Sequence, residues 1–167
     1  MFVILCCFAV LPGAAEASYV FFHKQLGAWT ILCWDDRVSG TKQCSLYAPR
    51  ASLTYRSPPN VLQIHEYAPN TFQVVIMLRD RPMPDLPAFV RIDGFKVHET
   101  AVEPGLARWT GSEAAAIIGE MRKGRRIIAR IQTIPDGLPR DTRISLEGFD
   151  DALATYRRTI RAQGILK

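Results

Sequence analysis

The sequence lacks most of the features that identify an enzyme. Its 167 residues include three histidines, His23, His65 and His98, and none of them has the spacing of metal ligands. It contains no Gly-x-Ser-x-Gly, P-loop or dinucleotide-binding motif. We therefore predict no metal, no cofactor and no enzymatic activity, although a catalytic triad can assemble from residues that are distant in sequence.

Repetition and charge are also limited. The chain has no low-complexity tract and no repeat of the length that builds solenoids. Its formal net charge of +5 permits loose attraction to anionic surfaces, but it does not by itself indicate nucleic-acid binding. The length favours one domain that is large enough to have its own core.

Neighbouring acid and base residues give little support for catalysis. His65 and Glu66 are adjacent, but on a strand their side chains point to opposite faces, so we do not expect them to act together. The paired carboxylates at residues 35–36 have the composition of a turn, and those at residues 150–151 have that of a helix start. Each pair is thus interpreted as structural.

An apolar run opens the sequence. Residues 2–11 are apolar, and Pro12-Gly13 and several small residues follow. The run is shorter than the roughly 20 residues of a transmembrane helix, and Ala15-Glu16-Ala17 fits the small-x-small pattern of signal-peptidase sites. We predict that residues 1–17 are a signal peptide and that the exported chain begins at Ser18, although no Lys or Arg precedes the run. A buried N-terminal strand or a short anchor is the alternative.

Cleavage there would leave two of the four cysteines, Cys33 and Cys44. An even number of cysteines in an exported chain indicates a disulfide. Strands predicted over residues 28–34 and 43–48 flank a polar turn, and their alternation places both sulfurs on the apolar face of a hairpin. A bridge that closes so short a loop contributes about 2–3 kcal/mol.

Other roles for the two cysteines fit the sequence less well. Zinc prefers four ligands, and the hairpin contains two sulfurs and no histidine. A thioredoxin-like redox pair has the spacing Cys-x-x-Cys at a helix start, whereas these cysteines lie in predicted strands. Reduced, buried thiols in a protein that is not exported are the remaining alternative.

The rest of the chain has the pattern of short strands separated by turns. Further strands are predicted over residues 61–66, 72–79, 88–93, 95–100, 126–133 and 144–146, with a turn at 57–60 and a loop at 81–87. Two segments have a helical pattern: residues 112–124, with Ser112 as cap and Gly124 as stop, and residues 150–163, ended by Gly164. The sequence predicts a mainly β fold, an antiparallel sandwich or barrel-like sheet with a mid-chain helix and a C-terminal helix, in one domain over residues 18–167.

The strongest charge feature is a set of five basic residues: Arg122, Lys123, Arg125, Arg126 and Arg130. Such a set is suited to bind an anionic partner, for example a lipid headgroup, a lipopolysaccharide or a glycan. The alternative is ordinary charge at a helix end and on a solvated strand face. We predict no nucleic-acid partner, because export removes it and aromatic residues do not alternate with these bases.

Several motifs, taken in order, resemble those of the invasion-associated locus B family. The stretch GAWTILCWDDRVSGTKQCSLY (27–47) resembles the opening of that family, a Gly-x-Trp followed by a first cysteine and, after a polar turn, a second. Three later motifs also resemble the family: the strand end Ile92-Asp93-Gly94, the basic turn MRKGRR (121–126) and ISLEGFDDAL (144–153). The resemblance covers about residues 27–156.

The resemblance implies a β-sandwich that is exported to the bacterial periplasm or cell surface, with some members linked to host-cell invasion. Many members carry a second cysteine pair near the helix, and residues 98–116 of this chain contain none. This chain is therefore interpreted as a divergent member of the family.

Three functional hypotheses follow. The first is an exported, non-catalytic protein of a Gram-negative envelope, which binds an envelope protein or an anionic surface component and makes at most peripheral contact with the membrane. The second is an envelope hydrolase with a site assembled from loops, which a histidine, an acid and a serine or threonine clustered in a pocket would favour. The third is a cytosolic protein with reduced cysteines, which a natural N-terminus at Met1 would favour.

Overall fold

The computed structural model describes residues 19–48, 60–78, 81–83, 85–134 and 137–166. The predicted signal peptide and most of the predicted turn at residues 57–60 lie outside the described residues. The described part contains eleven strands and two helices. In chain order these are β1 (Tyr19–Leu26), β2 (Trp29–Asp36), β3 (Thr41–Ala48), β4 (Asn60–Ala68), β5 (Thr71–Leu78), β6 (Ala88–Ile92), β7 (Val97–Thr100), β8 (Val102–Glu103), β9 (Leu106–Thr110), α1 (Gly111–Met121), β10 (Arg126–Gln132), β11 (Pro139–Ser145) and α2 (Phe149–Ala162).

Seven strands form the large sheet, in the order β1-β2-β3-β4-β5-β9-β8 with antiparallel pairing throughout. Alternation along each strand sends every second side chain inward. One row across the inner face consists of Ile31, Leu46, Ile64, Val74 and Trp109, which are directly paired from strand to strand. All five are buried, so this row forms the floor of the core.

Four strands form the small sheet, in the order β11-β10-β6-β7, again antiparallel. Its buried row consists of Ile92, Ile127 and Ile144, which are paired across β6, β10 and β11. The strand β10 alternates as the sequence predicts, with Ala129 and Ile131 also buried and Arg130 exposed. The small sheet thus has one apolar inner face and one face toward solvent.

The helices complete one hydrophobic core between these elements. The helix α1 packs against β5, β9 and β6, so it contacts both sheets, while α2 packs against β2 and β3. The ring of Phe149, the first residue of α2, lies 4.8 Å from the ring of Trp29, centroid to centroid. The two sheets and two helices confirm the predicted mainly β, sandwich-like architecture. Neither described helix combines the length and the apolar character needed to cross a membrane.

Most predicted strands are present, with small differences at their ends. Three strands, β1, β8 and β9, were not predicted. The strand β1 lies at the edge of the large sheet, and its burial does not alternate, so it lacks the pattern by which a half-buried strand is identified. The strands β8 and β9 are only two and five residues long. The prediction of residues 144–146 as extended was too short, because β11 begins at Pro139.

The prediction of Ser112 as the cap of α1 is wrong. The helix begins at Gly111 and Thr110 occupies the N-cap position, with no capping hydrogen bond from its side chain. Gly111 has a φ of 59°, a left-handed conformation that glycine adopts without steric cost. The chain therefore turns directly from β9 into the helix, and the N-cap lies two residues earlier than the cap pattern indicated.

Gly124 does not end α1, which stops at Met121. A Cβ atom at Gly124 would lie 2.3 Å from Cγ2 of Ile92, closer than real contacts allow. Glycine is needed here because the chain passes close to the end of β6, not because a helix stop requires it. By contrast, Gly164 follows α2 with a φ of 67°, as predicted for a helix stop.

Candidate functional site

The two cysteines form the predicted disulfide. Cys33 and Cys44 are directly opposite each other on β2 and β3, with their Cα atoms 4.0 Å apart, and both are buried. The hydroxyl of Tyr156, on α2, donates a hydrogen bond of 3.2 Å to the Cys44 carbonyl and accepts one of 3.0 Å from the Glu66 amide. The bridged hairpin is thereby tied to α2 and to β4. Its role is structural.

His65 and Glu66 lie on opposite faces of β4, as predicted. Glu66 faces α2, where Arg157 donates hydrogen bonds of 3.0 and 3.2 Å to its two carboxylate oxygens. Only 3% of the Glu66 side chain is exposed. Together with the tyrosine contact described above, this ion pair fastens α2 to the large sheet.

On its other face, the large sheet carries a polar cluster of Ser45, Tyr47, Gln63 and His65. The Oγ atom of Ser45 lies 2.9 Å from Nδ1 of His65, and the Gln63 amide donates to Ser45 at 3.0 Å and to Tyr47 at 3.2 Å. Burial lowers the pKa of His65 and raises the pKa of Tyr47, so both groups favour their neutral forms. The members of this cluster mainly satisfy one another.

The contact between Ser45 and His65 resembles two members of a catalytic triad, but the third member is different. Nδ1 of His65 lies 3.2 Å from the backbone carbonyl oxygen of Cys44, and the described contacts of the ring include no carboxylate. Ser45 is also fully buried. The sequence did not predict this cluster, because its members come from two strands that are separated by a long connection.

His98 is fully buried between β7 and α1. Its Nδ1 lies 2.5 Å from a carboxylate oxygen of Glu113, and its Nε2 lies 2.9 Å from one of Glu120. Lys96 reaches Glu113 as well, at 3.3 Å. The hydrogen bond from His98 is the main reason that the pKa of Glu113 lies below its ordinary value. Both ring nitrogens hold the helix against the strand.

His23, on β1, is exposed, so the three histidines lie on three different strands. Among the described residues, no group of three or more His, Cys, Asp and Glu side chains is placed to hold a metal ion. The paired carboxylates have the predicted structural roles. Asp36 accepts hydrogen bonds from the amides of Val38 and Ser39 in the hairpin turn, and residues 150–151 lie in the first turn of α2.

The five predicted basic residues do not lie on one surface. Arg122, Lys123 and Arg125 lie in the connection between α1 and β10, where Arg122 donates to Asp150 at 2.8 Å. Arg126 and Arg130 lie on the solvent face of β10. Arg130 makes two hydrogen bonds to Asp141, of 2.7 and 2.9 Å.

The solvent face of the small sheet adds arginines that the sequence did not single out. Arg91 on β6 and Arg143 on β11 are both directly paired with Ile128 on β10. We use the name arginine face for the solvent face of this sheet, whose arginine and apolar side chains are Phe89, Arg91, Val97, Arg126, Ile128, Arg130 and Arg143. Among the described residues, no side-chain hydrogen bond or ion pair is formed by Arg91 or Arg126.

A shallow cavity of about 530 Å³ lies on the arginine face. Three apolar side chains, Phe89, Val97 and Ile128, help to line it, and Val97 is 53% exposed. Arg91, Arg130 and Arg143 border it, together with Asp141. The alternation that placed Arg130 outward also places Ile128 outward, so part of this surface was readable from the sequence. The pairing of β6, β10 and β11 was not.

The comparisons with known proteins concern the fold. No protein-family model and no curated protein sequence matches this chain. Among solved structures, the chain is similar to the crystal structure of invasion associated protein b from Bartonella henselae. The alignment has a TM-score of 0.66 and 15% sequence identity, and it covers 84% of this chain and 98% of that chain. This chain therefore has the fold of an invasion-associated protein B, as the sequence motifs suggested.

Proposed function

We propose that the protein is exported to the envelope of a Gram-negative bacterium and binds an anionic component there, without catalysis, through the arginine face. The observation that carries this proposal is the placement of Arg91, Arg126, Arg130 and Arg143 on one solvent face. Among the described residues, two carboxylates lie on that face, Asp141 and Glu99, and Asp141 forms an ion pair with Arg130.

The disulfide supports export, because disulfides persist in oxidising compartments such as the periplasm. The solved structure with a similar fold carries the name of an invasion associated protein, and on the basis of this name the proposal includes a link to host interaction. An envelope protein with an acidic surface is the alternative partner. Its binding would depend on the same arginines.

The first experiment determines the natural N-terminus. The intact mass of the protein, purified from the envelope fraction of its own host or of a related bacterium, should correspond to a chain that begins at Ser18. A chain that begins at Met1 and is recovered from the cytoplasm would contradict export.

The second experiment tests the surface. The mature protein should cosediment with vesicles that contain phosphatidylglycerol and not with pure phosphatidylcholine, and the bound fraction should fall as salt is raised, since exposed charges are screened. Arg91→Gln with Arg143→Gln should weaken binding about 25-fold, at about fivefold for each charge near the surface. The matched control is Arg158→Gln with Arg161→Gln on α2, which removes the same charge and should have a smaller effect. Equal effects of the two pairs would contradict a specific face.

An envelope hydrolase is the second candidate, and the contact between Ser45 and His65 is the observation that favours it. His65 also borders a second cavity, of about 660 Å³. The test is hydrolysis of a panel of activated esters by the wild type and by Ser45→Ala. Activity that disappears in the variant would establish this candidate. We expect none, because Ser45 is fully buried.

A further inference from the structure

The arginine face combines charge with apolar surface, and this combination narrows the ligand that would fit it. A solvent face of a sheet normally carries polar side chains in alternation with the buried ones. Here Phe89, Val97 and Ile128 occupy outward positions on three neighbouring strands. Apolar side chains grouped within a border of polar residues are typical of a binding surface.

The three apolar residues are grouped around Arg91. Ile128 and Val97 are each paired directly with Arg91, and Phe89 lies two residues from Arg91 on the same face of β6. Diagonal neighbours of this kind are within reach of aromatic and long side chains. Together they form the apolar floor of a cavity whose volume is in the range of small-molecule sites.

The charges are placed asymmetrically around that floor. Arg91 and Arg143 lie on either side of Ile128 in one cross-strand row, Val97–Arg91–Ile128–Arg143. In the adjacent row, Arg130 is held by two hydrogen bonds to Asp141, and these bonds, with a smaller contribution from the charge of Arg143, lower the pKa of Asp141, which is therefore ionised. An anionic group would be repelled by Asp141. The row with Arg91 and Arg143 is the favourable position for it.

Resting on the proposed function, we infer that the ligand of the arginine face is an anionic amphiphile. Its phosphate or carboxylate head lies between Arg91 and Arg143, because guanidinium groups pair with such oxygens in a bidentate manner. Its hydrocarbon chain lies on Phe89, Val97 and Ile128. A simple anion would leave this floor exposed to water, and a neutral amphiphile would leave both arginines unpaired.

The test uses monomeric ligands, so that it does not depend on a membrane surface. Isothermal titration of the mature protein with dodecyl phosphate and with dodecanoate, below their micelle concentrations, should give saturable binding of one molecule. The two ligands distinguish a phosphate head from a carboxylate head. Octyl phosphate should bind more weakly, by about fourfold for each methylene that loses contact. Inorganic phosphate and dodecyl maltoside should each bind at least 100-fold more weakly than dodecyl phosphate.

Two pairs of variants locate the site. Arg91→Gln with Arg143→Gln should weaken binding of dodecyl phosphate by about 100-fold, at roughly tenfold for each lost hydrogen bond to a charged group, and leave binding of dodecyl maltoside unchanged. Val97→Thr with Ile128→Thr keeps the β-branched shape of both side chains. This pair should weaken the binding of dodecyl phosphate, whereas the binding to vesicles, which depends on charge, should change less. In the wild-type protein, NMR shifts of the Val97 and Ile128 methyl groups on titration provide a readout that does not depend on the folding of any variant.

Four outcomes would overturn the inference. Equal affinity for inorganic phosphate would indicate a plain anion site, and equal affinity for dodecyl maltoside would indicate an unspecific apolar patch. In the third outcome, no amphiphile binds or shifts the methyl resonances while vesicle binding still depends on Arg91 and Arg143. This result would contradict the amphiphile as ligand but would remain consistent with the proposed function. Loss of both kinds of binding would overturn the proposed function as well.

Discussion

On the large sheet, polar side chains bond mainly to one another, whereas on the small sheet the side chains of Arg91 and Arg126 face solvent without a hydrogen-bond or ion-pair partner among the described residues. Ser45, Gln63 and His65 form one mutually satisfied cluster, and Glu66 and Arg157 form another. Arg91 on the small sheet has no such partner. Removing one member of a satisfied buried group costs stability, whereas removing an exposed charge costs little. The comparison therefore predicts that stability resides in the polar groups of the large sheet and binding in those of the small sheet.

The largest effect is expected at Arg157. Arg157→Ala leaves the buried carboxylate of Glu66 without its cation and removes the contact of the guanidinium with the Phe72 ring, 4.8 Å from its centroid. We expect a loss of about 3 kcal/mol in the free energy of unfolding, measured by urea denaturation. Arg158→Ala, an exposed neighbour on the same helix, is the control and should change it by less than about 0.5 kcal/mol. Equal losses in the two variants would show that the buried ion pair stabilises the protein no more than an exposed arginine does.

Removal of the disulfide should have the next largest effect on stability. Cys33→Ala with Cys44→Ala opens a loop whose ends are 11 residues apart, which should lower the free energy of unfolding by about 2–3 kcal/mol. Urea denaturation of the wild type with and without a reductant gives the same difference without a mutation. An unchanged midpoint in the reduced protein would mean that the hairpin is held by its packing alone.

The polar cluster should make stability depend on pH. Because burial lowers the pKa of His65 in the folded protein, the unfolded chain binds its proton more tightly. The contribution of the neutral ring is complete above the ordinary histidine value of 6.5 and is lost as pH falls from there toward the folded value. Denaturation at pH 7.5 and pH 5.5 should show this loss in the wild type and a smaller one in His65→Gln. An equal loss of stability in the wild type and in His65→Gln would show that another group causes the pH dependence.

A second pH effect belongs to α1 and lies at lower pH. The pKa of Glu113 is below its ordinary value of 4.5, chiefly because His98 bonds to the carboxylate and with a further contribution from Lys96. The stabilisation is thus present above about pH 4.5 and is lost as pH falls through the lower folded value. Acid denaturation should begin at higher pH in Glu113→Gln, which lacks the carboxylate, and Glu120→Gln is the matched comparison. If acid denaturation began at the same pH in both variants as in the wild type, the bonds of His98 to these carboxylates would not stabilise the helix.

The smallest effect on stability is expected on the arginine face. Arg91→Gln with Arg143→Gln should change the free energy of unfolding by no more than about 0.5 kcal/mol, since both side chains are exposed. Thermal denaturation checks this in the same preparations that are used for binding. A large loss would show that these arginines hold the sheet together, and it would weaken the contrast between the two sheets.

The sequence alone determined the features that depend on local alternation. The alternation of side chains along a strand places Cys33 and Cys44 on the apolar face of the hairpin. It also places His65 and Glu66 on opposite faces of one strand, and Ile127 and Arg130 on opposite faces of another. Each of these results needs only the geometry of one strand. Alternation fails at an edge strand such as β1, whose burial does not alternate.

The candidate sites were decided by tertiary structure. His98 meets Glu113 and Glu120 only because α1 packs against the small sheet, and Ser45 meets His65 only because β3 and β4 pair in one register. Arg91 and Arg143 are far apart in sequence and become neighbours through β10, which lies between them. The sequence determines which face of its own strand a side chain occupies, since that follows from backbone geometry. Which strand lies beside it follows from the packing of the whole core, and that pairing forms the arginine face.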